Sequence, residues 1–330
     1  MEAELISAYN QGRRTGRTDL VCLAPSSNMY FNMYGQAAPC WLTLEFAPQY
    51  PYRSIRDLWF GEEFEGFRKR IAGNDLSGPC NVCQRNIRNR VFTSTLARAY
   101  DHDYPASVYP TIMEFELSNT CNLECIMCKG TLSSTIRRDR DHLPPMKAPY
   151  DDAFVDQLEE FIPHLKEARF NGGEPLLQKI CWDIWERMRK LNPAIEITVA
   201  TNGTTLGDRA RRMLEAGRFR VNLSLDSLEK ETYESIRVNA SLESTLANTE
   251  WFGEYCRRKG TNFCIMVNPM RNNWREMPSF VRFCAEKRYY LWFNTIWRPP
   301  HLALWNLPSA ELEAMRSELG RELAALEKPS

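Results

Sequence analysis

The feature that most constrains the fold is the alternation of short apolar runs with helical stretches from Thr111 onward. Helical stretches such as VDQLEEFI, QKICWDIWERMRKL and MPSFVRFCAEK separate the runs, and this alternation is typical of repeated βα units around a parallel sheet. The predicted strands are TIMEFEL (111–117), EARFN (167–171), IEITVAT (195–201), FRVNLSL (219–225), NFCIMVN (262–268) and YLWFNTI (290–296). The pattern therefore predicts an α/β fold.

The residues before Thr111 do not show this alternation of apolar runs and helical stretches. From Asp19 to about Trp41 the sequence predicts a hairpin, with MYFNMY before a turn at Gly35-Gln36 and AAPCW after it. A helix is predicted from the capping residue Ser54 to about Gly73, in SIRDLWFGEEFEGFRKRIA. The tail AELEAMRSELGRELAALEK is predicted to form an amphipathic helix. The chain thus pairs a small hairpin and helix region with a larger α/β region.

Composition excludes several classes of function. The 330 residues are 43% hydrophobic, which is enough for a substantial core. Basic and acidic residues number 42 each, so no net charge attracts nucleic acid or an anionic membrane. No apolar run of about eighteen residues and no signal-peptide pattern is visible, and we expect a cytoplasmic protein. In that compartment thiols stay reduced, so clustered cysteines among the 11 are interpreted first as metal ligands.

The segment SNTCNLECIMCKG places Cys121, Cys125 and Cys128 at the spacing CxxxCxxC, just after the first predicted strand of the α/β region. Parallel-sheet folds carry their active sites at the carboxyl ends of their strands. A structural zinc site or an electron-transfer iron-sulfur cluster normally takes four protein ligands. Three thiols therefore indicate a metal site with one open coordination position, and a zinc site or chance spacing remains the alternative.

In this position the motif resembles that of the radical S-adenosylmethionine (SAM) superfamily. The resemblance implies a partial (β/α)6 TIM-like barrel in which the three thiolates hold a 4Fe-4S cluster and SAM chelates the fourth iron. The segment FNGGEPLL matches the Gly-Gly-Glu-Pro element of this family. It implies that Gly172 and Gly173 allow a close backbone approach and that Glu174 receives the ammonium group of SAM.

The resemblance extends to residues after the later predicted strands. TNG (201–203) and SLDS (224–227) lie where family members contact the cofactor. The implied cofactor contacts are Asn202, Ser224 and Asp226 at the ribose or carboxylate, Arg237 at the carboxylate, and Asn268 at the level of the adenosyl group. Met127 stands where many members carry an aromatic residue beside the adenine, and a thioether packs there almost as well.

A second group of cysteines comprises Cys22, Cys40, Cys80 and Cys83. It resembles the twitch domain, the short form of the SPASM domain, which holds one auxiliary 4Fe-4S cluster through four cysteines and normally follows the barrel rather than preceding it. A structural zinc site has the same ligands and stays an alternative. The implied organisation is an auxiliary cluster domain (1–100), a linker (101–110), the barrel (111–300) and a C-terminal helix (301–330).

The resemblance implies reductive cleavage of SAM to a 5'-deoxyadenosyl radical that takes a hydrogen atom from a C–H bond. An external one-electron reductant of the flavodoxin or ferredoxin type is the expected partner. A fully ligated second cluster has no open iron, so accepting one electron in a net oxidation is its expected role. Because no peptide-binding winged helix or RNA-binding module is visible, the substrate is predicted to be small and polar: a sugar, cyclitol or glycan precursor.

Three other functions remain open at this stage. A redox-neutral epimerase needs a thiol hydrogen donor, for which Cys264 on a strand and Cys284 on a helix are candidates, although each also fits a buried small hydrophobe. A maturase that modifies a ribosomal peptide is the second alternative, and an iron-sulfur carrier or sensor without enzyme activity is the third. Trp274 and Arg275 follow the fifth predicted strand, and Arg275 is predicted to contact the substrate at the barrel mouth.

Overall fold

The computed structural model describes residues 3–45 and 47–326 and contains two compact units. The first unit comprises the described residues up to Ser118 together with Lys147–Gly172 and Lys179–Ile197. The second comprises Asn119–Met146, Gly173–Gln178 and the described residues from Thr198 onward. Each unit is therefore assembled from separate stretches of the sequence.

The described residues form strands and helices in alternation. The strands are β1 (Asn28–Phe31), β2 (Ala37–Ala38), β3 (Ile112–Phe115), β4 (Glu167–Phe170), β5 (Glu196–Thr201), β6 (Phe219–Ser224), β7 (Phe263–Val267) and β8 (Tyr290–Phe293). The helices are α1 (Ala3–Asn10), α2 (Ala24–Ser27), α3 (Ile55–Trp59), α4 (Glu62–Ala72), α5 (Asn81–Arg88), α6 (Ser134–Asp139), α7 (Asp152–Leu158), α8 (Lys179–Leu191), α9 (Asp208–Ala216), α10 (Lys230–Ile236), α11 (Leu242–Lys259), α12 (Met277–Lys287) and α13 (Ser309–Leu326). None of these helices is long and apolar enough to cross a membrane.

The α/β prediction is confirmed, and the sheet is of the partial parallel type. Strands β3 to β8 each lie within one of the six predicted segments. In the first unit β1 pairs in parallel with β3, and β3 with β4. In the second unit β6 pairs in parallel with β7, and β7 with β8. The division between the units falls within β5.

The predicted hairpin is present in the first unit, where β1 and β2 are antiparallel and Tyr30 lies opposite Ala38. Because β1 also pairs along β3, the hairpin belongs to the same sheet as the first barrel strand. The helix predicted from Ser54 is present but divided into α3 and α4. Ser54 caps α3 by accepting a hydrogen bond from the backbone N–H of Asp57, and the extended backbone at Gly61 separates the two helices.

One face of the sheet in the first unit is aromatic and the other is polar. Phe115 stacks between Phe31 and Phe170, with ring centroids 6.1 and 4.7 Å away. Next along β3, Glu114 lies in register with Tyr30 and Arg169 on the other face. This alternation follows from the two-residue period of a strand. The loops that carry the candidate site begin at the ends of these strands.

Candidate active site

The cysteine loop follows β3 and ends at α6. The backbone carbonyl of Cys121 accepts hydrogen bonds from the hydroxyls of Ser134 (3.1 Å) and Thr135 (2.7 Å) in the first turn of α6. The middle of the loop is held by a backbone hydrogen bond from Ile126 to the carbonyl of Ile236, at 2.9 Å. The loop is therefore fixed both by the helix that follows it and by the chain after β6.

The three thiols of this loop lie close together. Burial raises the pKa of the Cys125 thiol to about 12; Arg237 lowers it, and Cys128 and Cys121 raise it further. Burial and Cys121 also raise the pKa of Cys128. A metal ligand must be a thiolate, so a bound cation is what would hold these buried thiols in the charged form.

Within the described ranges, no three His, Cys, Asp or Glu side chains are arranged to hold a single metal ion. A zinc ion needs four ligands within about 2.3 Å of one point. A 4Fe-4S cluster places each thiolate on a different iron, so the observed arrangement of the loop does not conflict with a cluster.

Two polar side chains direct N–H groups toward these sulfur atoms. Nδ2 of Asn202 lies 3.9 Å from Sγ of Cys121, and Nη1 of Arg237 lies 3.9 Å from Sγ of Cys125. Asn202 is held in place because Nδ2 also donates to Oδ1 of Asn122 (2.9 Å) and Oδ1 accepts from the backbone N–H of Thr204 (2.9 Å). Donors of this kind stabilise the negative charge of thiolates bound to iron.

The Gly-Gly-Glu turn approaches the start of the cysteine loop. Gly172 and Gly173 have φ of +77° and +54°, values that favour glycine. A Cβ atom on Gly173 would collide with the carbonyl oxygen of Thr120, and one on Gly172 would collide with the side chain of Glu116. The backbone N–H of Glu174 donates to the carbonyl of Thr120 at 2.7 Å. The close approach predicted for both glycines is therefore present.

Glu174 is fully buried and accepts three hydrogen bonds. Oε1 accepts from the backbone N–H of Leu176 (3.1 Å) and from the hydroxyl of Thr201 (2.8 Å), and Oε2 accepts from the backbone N–H of Asn202 (2.7 Å). Burial raises the pKa of Glu174 to about 7, although these three hydrogen bonds lower it. The carboxyl thus links the Gly-Gly-Glu turn to the end of β5, and its predicted contact with the SAM ammonium stays a prediction.

The raised pKa of Glu174 makes stability depend on pH. The folded protein holds this proton more tightly than the unfolded chain, so the contribution is complete below the ordinary carboxyl range and is lost as pH rises through about 7. We expect the iron-free protein to lose on the order of 3 kcal/mol of unfolding free energy from this group between pH 5 and 8. Urea denaturation at both pH values measures the loss.

The matched variant for this measurement is Glu174→Gln, in which the pH-dependent loss should be absent. Glu313→Gln, at an exposed carboxylate of α13, should keep the wild-type dependence. Identical pH dependence in wild type and Glu174→Gln would show that another group is responsible.

A buried ion pair joins the chain after α10 to the end of β6. Nη2 of Arg237 lies 2.7 Å from Oδ2 of Asp226, and Oδ1 of Asp226 accepts hydrogen bonds from the backbone N–H (2.7 Å) and Nδ2 (2.9 Å) of Asn268. Asp226 and Arg237 were both predicted to contact the cofactor, and the structure places them against each other. Nε of Arg237 is buried and has no hydrogen-bond partner among the described residues. That unpaired N–H suits a carboxylate ligand.

The other predicted cofactor contacts lie around these residues. Ser224 is the last residue of β6, Asn268 directly follows β7, and Met127 is half-buried in the cysteine loop. Their contacts with SAM stay predictions.

The residues predicted to act on the substrate, Cys264, Cys284 and Arg275, do not all contact one another. Cys264 lies half-buried on β7 and Cys284 is buried on α12, where burial and then Cys264 raise its pKa to about 12. Nε of Arg275 lies 2.9 Å from Oε1 of Glu318, and its guanidinium lies 4.2 Å from the ring centroid of the buried Trp274. The substrate role of Arg275 stays a prediction.

The structure brings together the second group of thiols in the first unit. Burial, followed by the charges of Cys40, Cys83 and Cys80, raises the pKa of Cys22. Burial raises the pKa of Cys40 to about 12. Cys83 belongs to a hydrophobic cluster against which Cys22 and Cys80 also pack. Cys83 is buried and the other three cysteines are half-buried, and their role as a four-ligand site stays a prediction.

Sequence reasoning missed Asn273, which is buried between the ends of two strands. Its Nδ2 donates to the carbonyls of Asp226 (2.6 Å) and Asn268 (3.0 Å), and its Oδ1 accepts from the backbone N–H of Met270 (2.7 Å). Asn273 therefore fixes the loop that presents Asp226. One asparagine in the sequence MRNNW matches no motif, so the sequence gives no signal for this role.

The site fits a cluster and SAM by its own chemistry. Cys125 is buried and Cys121 and Cys128 are half-buried, and the pKa of each thiol is raised. N–H groups face two of the sulfurs, and a buried guanidinium N–H has no acceptor among the described residues. The fold and this site define a class of iron-sulfur proteins in which three cysteines after the first strand of a partial barrel hold a cluster.

The family model described as "Radical SAM superfamily" matches residues 115–284, more than half of the chain. The chain belongs to the radical SAM superfamily, whose cofactors are a 4Fe-4S cluster and SAM.

Curated relatives include proteins named GTP 3',8-cyclase. The one from Listeria monocytogenes serovar 1/2a is 30% identical over 219 residues, which are 62% of this chain and 59% of the relative. The one from Peptoclostridium acidaminophilum is 32% identical over 139 residues, 41% of this chain and 40% of the relative. The chain thus spans at most about three fifths of the relatives it matches.

Solved structures include Streptococcus suis SuiB bound to the precursor peptide SuiA, with a TM-score of 0.50 and 15% identity over 80% of this chain and 60% of that one. This likeness concerns the fold alone.

Proposed function

We propose that this chain reductively cleaves SAM and abstracts a hydrogen atom from a C–H bond of a small polar substrate, with net oxidation assisted by an auxiliary 4Fe-4S cluster. When bound, the cluster at Cys121, Cys125 and Cys128 supplies the electron that cleaves SAM. The observation that carries the proposal is the gathering of these thiols with Asn202 and Arg237 in one buried site. An external one-electron reductant of the flavodoxin or ferredoxin type completes the proposed system.

The protein's own residues would bind and orient SAM. Glu174 is proposed to accept hydrogen bonds from the ammonium group, because its buried carboxylate gains most from a cationic partner. The unpaired Nε of Arg237 is proposed to donate to the carboxylate of SAM, while Asp226 keeps the guanidinium in place. Asn202, Ser224 and Asn268 are proposed to contact the ribose or adenosyl group, and Met127 the adenine.

The substrate is the least constrained part of the proposal. The curated relatives carry the name GTP 3',8-cyclase, which differs from the sugar, cyclitol or glycan precursor proposed for this chain. Because the chain matches only part of those relatives, their substrate is not transferred to it. Screening of polar substrates against SAM cleavage is the direct route to its identity.

The auxiliary cluster is tested by removing its proposed ligands. The variant with Cys22, Cys40, Cys80 and Cys83 all replaced by serine should hold about four irons per chain after anaerobic reconstitution, against about eight in wild type. Cleavage of SAM with a chemical reductant should persist in this variant, because the proposed SAM site is intact. Zinc at these four thiols, with about four irons in wild type, would make the site structural and remove the auxiliary cluster from the proposal.

One observation favours the redox-neutral epimerase as a second candidate. Asn222 lies in register with Cys264, and Ser224 with Met266, so Cys264 shares a sheet face with the proposed cofactor contact Ser224. Cys264 is proposed to donate a hydrogen atom from that face. The test is turnover in D2O. Incorporation of deuterium at the substrate carbon by wild type, and its loss in Cys264→Ala, would favour the epimerase over the oxidase.

A further inference from the structure

Strand β8 carries exposed aromatic side chains on both of its faces. Tyr290 and Trp292 point to one face and are 62% and 57% exposed, and Phe293 points to the other and is 40% exposed. Trp297 and Trp305 follow β8 and are 69% and 50% exposed. We call these five residues the aromatic edge. Exposed aromatic side chains are enriched at interaction sites of proteins, and the ring centroids of Trp297 and Trp305 lie 6.4 Å apart.

The outer edge of β8 also has backbone groups available for pairing. The backbone N–H of Asn294 donates to the carbonyl of Val267 on β7, at 2.8 Å. Successive residues of a strand point their backbone groups to opposite sides, so those of Leu291 and Phe293 point away from β7. β8 is the last strand in the sheet order, and within residues 3–45 and 47–326 no group pairs with Leu291 or Phe293 on that side.

Two arginines of the segment that contains β8 have no acidic partner among the described side chains. No Asp or Glu occurs from Lys287 to Ala310. Lys287 forms an ion pair with Glu250 at 2.6 Å. Arg288 and Arg298 are exposed and form no ion pair with any described side chain. Arg288 precedes β8 in the sequence and Arg298 follows it, so this segment carries both exposed aromatic rings and two exposed arginines.

We propose that β8 is a docking site for an extended acidic segment of a partner polypeptide, which adds to the sheet as a further strand. Such a segment supplies the backbone donors and acceptors that Leu291 and Phe293 lack. Its alternate side chains cover the aromatic residues on the two faces, and its carboxylates pair with Arg288 and Arg298. Through the registers of β6, β7 and β8, Tyr290 and Trp292 share the sheet face of Ser224, so a docked segment would border the proposed SAM site on that face. The strand pairing at the outer edge of β8 is a partner contact that goes beyond the SAM chemistry.

A second copy of the chain fits this edge less well. Pairing of β8 with a second β8 would bring Arg288 and Arg298 of both copies into one two-stranded ribbon. Neither copy has a carboxylate between Lys287 and Ala310 to balance these charges. Like charges opposite one another destabilise paired strands. The charge of the edge therefore favours an acidic partner.

The test uses the full chain and a fluorescein-labelled ten-residue peptide of alternating Glu and Val. Fluorescence anisotropy should show saturable binding of this peptide, and hydrogen exchange at the amides of Leu291 and Phe293 should slow when it is bound. A peptide of alternating Lys and Val should bind at least about tenfold more weakly. The Glu-Val peptide with every backbone N–H methylated, which keeps the charge but removes strand pairing, should not bind.

Protein variants test the same surface. The double variant Arg288→Glu, Arg298→Glu should weaken binding of the Glu-Val peptide by about tenfold or more. Arg316→Glu makes the same charge change on α13, away from the edge, and should alter binding less than about twofold. The N-methylated peptide tests the proposal on the unaltered protein, so it stays decisive if a variant fails to fold.

Four results would overturn the proposal. Equal binding of the Lys-Val peptide would show that charge is not used, and equal binding of the N-methylated peptide would show that strand pairing is not used. Unchanged exchange at Leu291 and Phe293 would place the peptide elsewhere. Concentration-dependent dimerisation that Phe293→Glu abolishes would assign the edge to a second copy of the chain.

Discussion

Replacement of Cys121, Cys125 and Cys128 by alanine is expected to remove about four irons per chain and to abolish cleavage of SAM. The three thiols lie together in a loop fixed by α6, beside the proposed SAM contacts Asn202 and Arg237. Rates of 5'-deoxyadenosine formation with a chemical reductant should fall by a factor of about a thousand or more, because no residue replaces a missing thiolate. Iron analysis and chromatography of the products measure both effects.

The matched control is Cys256→Ala, which removes a buried thiol of α11 that belongs to neither group. This variant should retain the iron and the cleavage activity of wild type. Unchanged iron content in the triple alanine variant would place the cluster elsewhere in the chain and refute the assignment.

Arg237→Ala is expected to lower the unfolding free energy of the iron-free protein by about 3–5 kcal/mol. The guanidinium lies 2.7 Å from Asp226, and both side chains are buried. Removal of one partner leaves a buried carboxylate without its counter-charge, and that desolvated charge is the main cost. Urea denaturation of the iron-free protein measures the change without any contribution from the cofactors.

Arg316→Ala provides the control, because Arg316 and Glu313 form an exposed ion pair at 2.6 Å. Its loss should cost less than about 1 kcal/mol. The double variant Asp226→Asn, Arg237→Met should recover part of the stability that Arg237→Ala loses, since neither buried charge remains. Equal stability of wild type and Arg237→Ala would show that the carboxylate of Asp226 is solvated after the change.

The strands were predictable because their signal is local. Apolar runs bounded by polar turns and separated by helical periods located β3 to β8, although YLWFNTI extended three residues past Phe293, where β8 ends. The single helix predicted from Ser54 was wrong at its centre, where Gly61 separates α3 from α4. Glu62 and Glu63 after that glycine are typical of a new helix start, so the signal was present in the sequence.

Parts of the site were less accessible to sequence reasoning. The grouping of the cysteines could be predicted because spacing within a loop and thiol chemistry both point to a metal. The pairing of Arg237 with Asp226 could not, since each was predicted to contact the cofactor. The position of Asn273 was also hidden, because hydrogen bonds between separate loops depend on tertiary structure rather than on local pattern.

The pairing of β1 along the full length of β3 ties the N-terminal region to the strand that leads into the cysteine loop. A shortened chain that began at Thr111 would lose this neighbour and expose the edge of β3 to other chains, a common cause of aggregation. The N-terminal hairpin is therefore expected to protect the α/β region from aggregation, whether or not the four thiols of the N-terminal region bind metal.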